Sequence, residues 1–141
     1  MLTAASIALG ASLERRDTFV TCRNTAVKGG SFQISNQKAE GNIHAAPLTN
    51  GGTKSGYPHQ FTNAKKIQWP NPKCNNLASG VILLEFPVFA DGHLYNADSK
   101  PKDDPGAARG IFTSPNKDYC GVVAHKGIGQ DANKGDLLLC V

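Results

Sequence analysis

The sequence predicts an α+β domain: an N-terminal β-hairpin, one short α-helix packed on a central twisted antiparallel β-sheet, long loops and two disulfides. Three observations point there. A chain of 141 residues is the size of one ordinary domain and can close one hydrophobic core. Its 15 glycines and 8 prolines are scattered, and they punctuate short apolar runs such as "VILLEF" and "GVVAH", the pattern of strands joined by many turns. Its four cysteines, Cys22, Cys74, Cys120 and Cys140, are widely spaced with no C-x-x-C pair, which fits two disulfides in an exported protein better than a zinc ribbon. Three pairings are open on spacing alone.

Each element has a local reason. "TFVTC" and "GSFQIS" alternate apolar and polar residues around a "KGG" turn, so residues 18–34 read as a hairpin. Ser35 or Asn36 can cap the helix that follows, "NQKAEGNIHAA" supplies its body, and Pro47 marks its end. The runs "YPHQF", "VILLEFPVF", "ARGIFT", "YCGVVAH" and "DLLLC" then read as five strands separated by Gly-, Pro- and Asn-rich loops. No repeat of fixed period is present, and no apolar stretch approaches the roughly 20 residues that span a bilayer. The first sixteen residues differ from the rest: "LTAASIALGAS" is small and apolar, and "LERR" ends in a dibasic pair. Residues 1–16 are therefore expected to be a signal or pro-segment, with 17–141 the working domain. Formal net charge is +4, and loss of Glu14, Arg15 and Arg16 on processing leaves +3.

Strand periodicity sorts the candidate site residues. In an extended segment residues two apart share a face, so Tyr57 goes with His59, Val123 goes with His125, and Glu85 faces away from Ile82, Leu84 and Phe86. A carboxylate inside "VILLEFPVF" costs several kcal/mol to bury alone, about the scale for unpaired charge, so a partner is expected beside it. Arg109 in "AARGIF" and His125 in "VVAHKG" are the other ionisable residues set in apolar strands. If His59, Glu85, Arg109 and His125 share a sheet face, they suit phosphodiester cleavage. A carboxylate and an imidazole can act as base and acid, while a guanidinium and a second imidazole hold the charge that builds on the phosphoryl oxygens. Such chemistry needs no metal and no cofactor. A structural Glu85–Arg109 ion pair and a merely hydrogen-bonded strand histidine are the plain alternatives. Tyr57 reads as packing on its own, and His44 and His93 as structural. Lys65, Lys66, Lys100 and Lys102 read as solvated loop cations able to meet phosphates.

The blocks "NQKAEGN", "HAAPL", "SGYPHQFTN", "LLEFPVFADGHLY", "DSKPKDDPGAARGIFTSPNKDYCGVVAH" and "GDLLLC" occur in one order and spacing, with the four cysteines in register. Over residues 22–140 the chain resembles the fungal ribotoxins, within the small secreted fungal guanyl-type ribonucleases. The resemblance implies Glu85 as general base, His125 as general acid, and His59 as an electrostatic assistant that can partly replace the base. It implies Arg109 and Tyr57 as phosphate ligands, Asn63 as a support of the site, and Leu137 as the apolar neighbour of the acid. It implies the pairs Cys22–Cys140 and Cys74–Cys120, and transphosphorylation to a 2′,3′-cyclic phosphate. The implied target is the sarcin–ricin loop of large-subunit ribosomal RNA, reached by a secreted monomer that meets acidic phospholipid surfaces on entry. The segment 63–83 is short for the family, the N-terminal hairpin is shortened, "DSKPKDD" is poorer in lysine, and Gln60 replaces an aromatic residue. The catalytic residues are complete and the basic targeting features reduced. A less specific, guanyl- or purine-preferring secreted ribonuclease and a catalytically silent RNA-binding effector are the alternatives.

Overall fold

The computed structural model describes residues 17–141, so the expected signal or pro-segment over 1–16 lies outside the described residues. Seven strands and one helix follow: β1 (Phe19–Arg23), β2 (Ser31–Ser35), α1 (Asn36–Ala45), β3 (His59–Gln60), β4 (Ile82–Val88), β5 (Ala108–Ser114), β6 (Tyr119–His125) and β7 (Leu137–Leu139). Short 3-10 turns occur at Lys28–Gly30 and Pro72–Cys74. Among the described residues no helix is long and apolar enough to cross a membrane.

The hairpin forms as the alternation requires, with Cys22 opposite Phe32 and Val20 opposite Ile34. Ser35 caps α1. Its hydroxyl accepts from Lys38 N at 3.1 Å and donates to the Asp17 carboxylate at 2.5 Å, while Gln37 N donates to the same carboxylate at 3.1 Å. At the other end the helix stops at Ala45, because Ala46 precedes Pro47 and takes the extended conformation that such positions favour (φ −68°, ψ 146°). The Lys117 ammonium closes this end by donating to the carbonyls of Ala46 and, at 3.1 Å, His44.

β3 to β7 form one antiparallel meander in sequence order. The strand predicted over "YPHQF" shrinks to His59–Gln60, because Pro58 has no N–H to donate and leaves Tyr57 outside the ladder. The other four predicted strands lie within a residue or two of their expected limits. The hairpin joins this sheet through Thr21 and Val141, which exchange backbone hydrogen bonds of 2.8 and 3.1 Å, and through the Cys22–Cys140 disulfide. Cys74–Cys120 ties the loop before β4 to β6.

Register divides the residues between two faces. Leu84, Phe86, Val88, Phe112, Val122 and Ala124 are buried on the side that receives Ala39 and Ile43 of α1. The helix comes so close that a Cβ on Gly110 would lie 2.7 Å from the Ile43 side chain. The opposite face carries a second core, with Phe61, Trp69, Leu83, Ile111 and Val123 around the Cys74–Cys120 bridge. The site lies at one end of this second face.

Candidate active site

The pairing register alone brings the predicted residues together. His59 pairs with Glu85, Pro87 with Arg109, Arg109 with Val123, and His125 with Leu137. Partners across an antiparallel ladder point to the same side, as do residues two apart on one strand. His59, Glu85, Arg109, His125 and Leu137 therefore share one face. β4 and β6 flank β5, so the strands carrying Glu85 and His125 are two spacings, about 10 Å, apart, with Arg109 on the strand between them. Both residues line a cleft of about 280 Å³, together with Phe61, Asn63, Lys65 and Leu137.

Glu85 is 8% exposed and Arg109 3%. The buried partner that the sequence demanded is present: Arg109 Nε stands 3.3 Å from Glu85 Oε2, although the two are not aligned as a hydrogen bond. His59 Nδ1 lies 3.7 Å from Glu85 Oε1 on the solvent side. Burial raises the Glu85 carboxyl above the usual carboxylate range, against the opposing pull of His59 and Arg109. That is the direction a general base working on a hydroxyl needs.

Arg109 is fixed by its surroundings. Nη1 donates to the carbonyls of Pro105, Gly106 and Ala108 at 3.2, 2.8 and 3.0 Å, and Nη2 to the Tyr57 hydroxyl at 3.2 Å. The guanidinium also lies over the Tyr57 ring, 5.3 Å from its centroid. Tyr57 stacks on the His59 imidazole at 4.6 Å and meets Tyr95 edge-on at 5.8 Å. A tyrosine that reads as packing in sequence thus also holds the orientation of two site residues.

The half-buried His125 holds its Nδ1 2.7 Å from the Gly135 carbonyl oxygen, which can only accept, so Nδ1 carries a proton and Nε2 is left for the cleft. Burial lowers its basicity, the Gly135 carbonyl restores part of it, and Arg109 lowers it further. Asn63 directs its amide to the backbone: Nδ2 donates to Ile67 O at 3.1 Å and Oδ1 accepts from Ile67 N at 2.8 Å, which closes the loop bordering the cleft.

The loop lysines separate. Lys65 lines the cleft with its ammonium 3.2 Å from Asp136. Lys102 sits 5.6 Å from the Tyr57 ring centroid, and Lys100 is exposed. Lys66 faces a neighbouring hollow of about 410 Å³ that contains none of the four ionisable site residues. His44 and His93 stand apart, beside Glu40 and Asp91. Three contributors carry no signal in the sequence: the Gly135 carbonyl, the supporting Tyr95, and Asn24, which bonds the backbone of His125.

Comparison with known proteins shows the family. A model of the ribonuclease family matches residues 15–134. Ribonuclease clavin of Aspergillus clavatus is 40% identical over 168 aligned residues, spanning 99% of this chain and 93% of the relative. The chain is a ribonuclease of the fungal ribotoxin family. The crystal structure of restrictocin, a highly specific Aspergillus ribotoxin, superposes with a TM-score of 0.76 at 41% identity, over 87% of this chain and 99% of that one. Restrictocin complexed with a 29-mer sarcin/ricin domain RNA analogue superposes with a TM-score of 0.73 at 40% identity, covering the same shares. This ribonuclease has the expected architecture, with one helix on antiparallel sheet, an N-terminal hairpin and the two expected disulfides.

Proposed function

We propose that this endoribonuclease cleaves one phosphodiester bond in the sarcin–ricin loop of large-subunit ribosomal RNA and so stops translation. The observation that carries the reading is the single cleft shared by Glu85 and His125, with Arg109 on the strand between them. In this account Glu85 takes the proton from the ribose 2′-hydroxyl, whose oxygen then attacks phosphorus. His125 Nε2 gives a proton to the departing 5′-oxygen, leaving a 2′,3′-cyclic phosphate that hydrolyses slowly. Arg109 and His59 hold the charge on the phosphoryl oxygens, Tyr57 adds a hydrogen bond, Leu137 keeps water from the acid, and Asn63 keeps the cleft wall in place. The RNA bound to restrictocin supports the target. Secretion, a processing cut after Arg16, action as a monomer and contact with acidic phospholipid surfaces belong to the same reading. Asp17 already tied to the start of α1 supports the cut, and the net charge of +3 left after it supports the contact.

The test is to incubate the protein with intact ribosomes and size the large-subunit RNA. One small fragment from the 3′ end is expected, and it should be absent with His125→Gln. A ladder of products would move the protein to the less specific ribonucleases, and intact RNA to the silent RNA-binding effectors.

A further inference from the structure

Outside the cleft, Asn24, just after β1 and 1% exposed, uses both ends of its buried amide. Its amide Nδ2 donates to the His125 carbonyl at 2.8 Å and to the Ala132 carbonyl at 2.8 Å, and its Oδ1 accepts from Ala26 N at 2.8 Å. The first two partners are the residue where the loop between β6 and β7 begins and a residue near its return. The same loop ends at Gly135, whose carbonyl holds the His125 ring. We infer that Asn24 is a positioning residue for the reaction: it locks the loop 126–136 beneath the general acid, so that the Gly135 carbonyl fixes the His125 ring with Nε2 facing the cleft.

The local packing is built around this contact. Thr25 N donates to Lys126 O at 2.8 Å, Gly127 N to Lys134 O at 2.9 Å, and Lys126 N to Asp136 O at 2.9 Å, closing the loop across its base. A Cβ at Gly127 would lie 2.6 Å from Asn24 Oδ1, so the backbone approaches the amide at a distance only glycine permits. Gly135 has φ +97°, and a Cβ there would meet Lys126 Cγ at 2.9 Å. Asn24 therefore acts through Gly135, with no contact to substrate of its own. The Cys22–Cys140 bridge two residues away holds the hairpin to the sheet independently of it.

The charged groups around His125 give this arrangement a measurable signature. Arg109 on β5 opposes protonation of the ring, Asp131 on the loop favours it, and Glu85, Lys65 and Asp136 line the same cleft. The Gly135 carbonyl favours the protonated ring over the neutral one. Loosening the loop removes that support, so the acid should lose its proton at lower pH as well as lose its orientation.

Asn24→Ala tests this with a short RNA substrate. The expected result is a kcat reduced about 10- to 100-fold, the scale of a misplaced catalytic group, with KM within about twofold and the alkaline limb of the kcat profile moved to lower pH. Asn24→Asp keeps the acceptor for Ala26 N but turns an oxygen towards the two carbonyls, and it should show the same loss. A folded variant with wild-type kcat and an unmoved alkaline limb overturns the assignment, as does a variant that only lowers Tm. Should neither variant fold, nitrogen NMR on the wild-type protein decides: neutral His125 protonated on Nδ1, slow to exchange, is required, and a ring protonated on Nε2 refutes the inference.

Discussion

At the scale of residues, the site depends on one carboxylate that the fold makes expensive to ionise. Glu85 is buried at the end of the second core, and its desolvation outweighs the attraction of His59 and Arg109, so its folded-state pKa lies above the ordinary 4.5. The folded state therefore holds this proton more tightly than the unfolded chain does. The Glu85 contribution favours folding when pH falls through the raised pKa and weighs against folding above it. Glu85→Gln removes this titration. Its Tm, measured against wild type by calorimetry, should improve in relative terms as pH goes from about 4 to about 7; a difference that is constant or falls across that range would contradict the burial argument. Arg109 limits the gain, because neutralising Glu85 leaves a 3% exposed guanidinium with less compensation.

At the scale of elements, α1 is a short helix with little apolar patterning beyond Ala39 and Ile43, so its ends matter. Ser35→Ala removes the acceptor for Lys38 N and the donor to Asp17, and should cost about 1 kcal/mol in chemical denaturation while leaving turnover on short RNA unchanged. A loss of turnover greater than the loss of stability would show that the helix is linked to the site in a way the two-sided sheet does not imply. The strands from β4 to β6 are legible because continuous apolar runs bounded by turn residues specify buried strands, but period two sorts faces only within a strand, and the pairing register between strands, which no residue type encodes, is what puts Glu85, Arg109 and His125 on one face. β3 was overestimated because the alternation in "YPHQF" hid the missing N–H of Pro58. The disulfide partners followed from family resemblance, since spacing left three pairings open. Asn24 and Gly135 carry no signal in the sequence because their contacts run through backbone carbonyls, and a carbonyl leaves no mark on residue type.

At the scale of the whole molecule, the chain is only mildly basic, and its loop cations are partly neutralised. Lys65 is paired with Asp136, and Asp103 and Asp104 follow directly on Lys100 and Lys102. Affinity for RNA and the rate of encounter with it grow with the number of phosphates neutralised, so a mildly basic surface with paired loop cations gives weak electrostatic capture of RNA. A dinucleotide substrate takes capture out of the measurement. The pH profile of kcat/KM for cleavage of such a substrate then tests the acid–base pair directly. On the proposed roles Glu85 works ionised and burial raises its carboxyl above the usual carboxylate range, while His125 works protonated and burial lowers its imidazole below the usual range, so the two limbs draw together around a narrow maximum. Glu85→Gln should lower the rate and displace the acidic limb, with His59 left as the substitute base, and His125→Gln should reduce cleavage to background at every pH; a wild-type profile that is flat through this region, an acidic limb unmoved in Glu85→Gln, or wild-type turnover in His125→Gln would contradict the account.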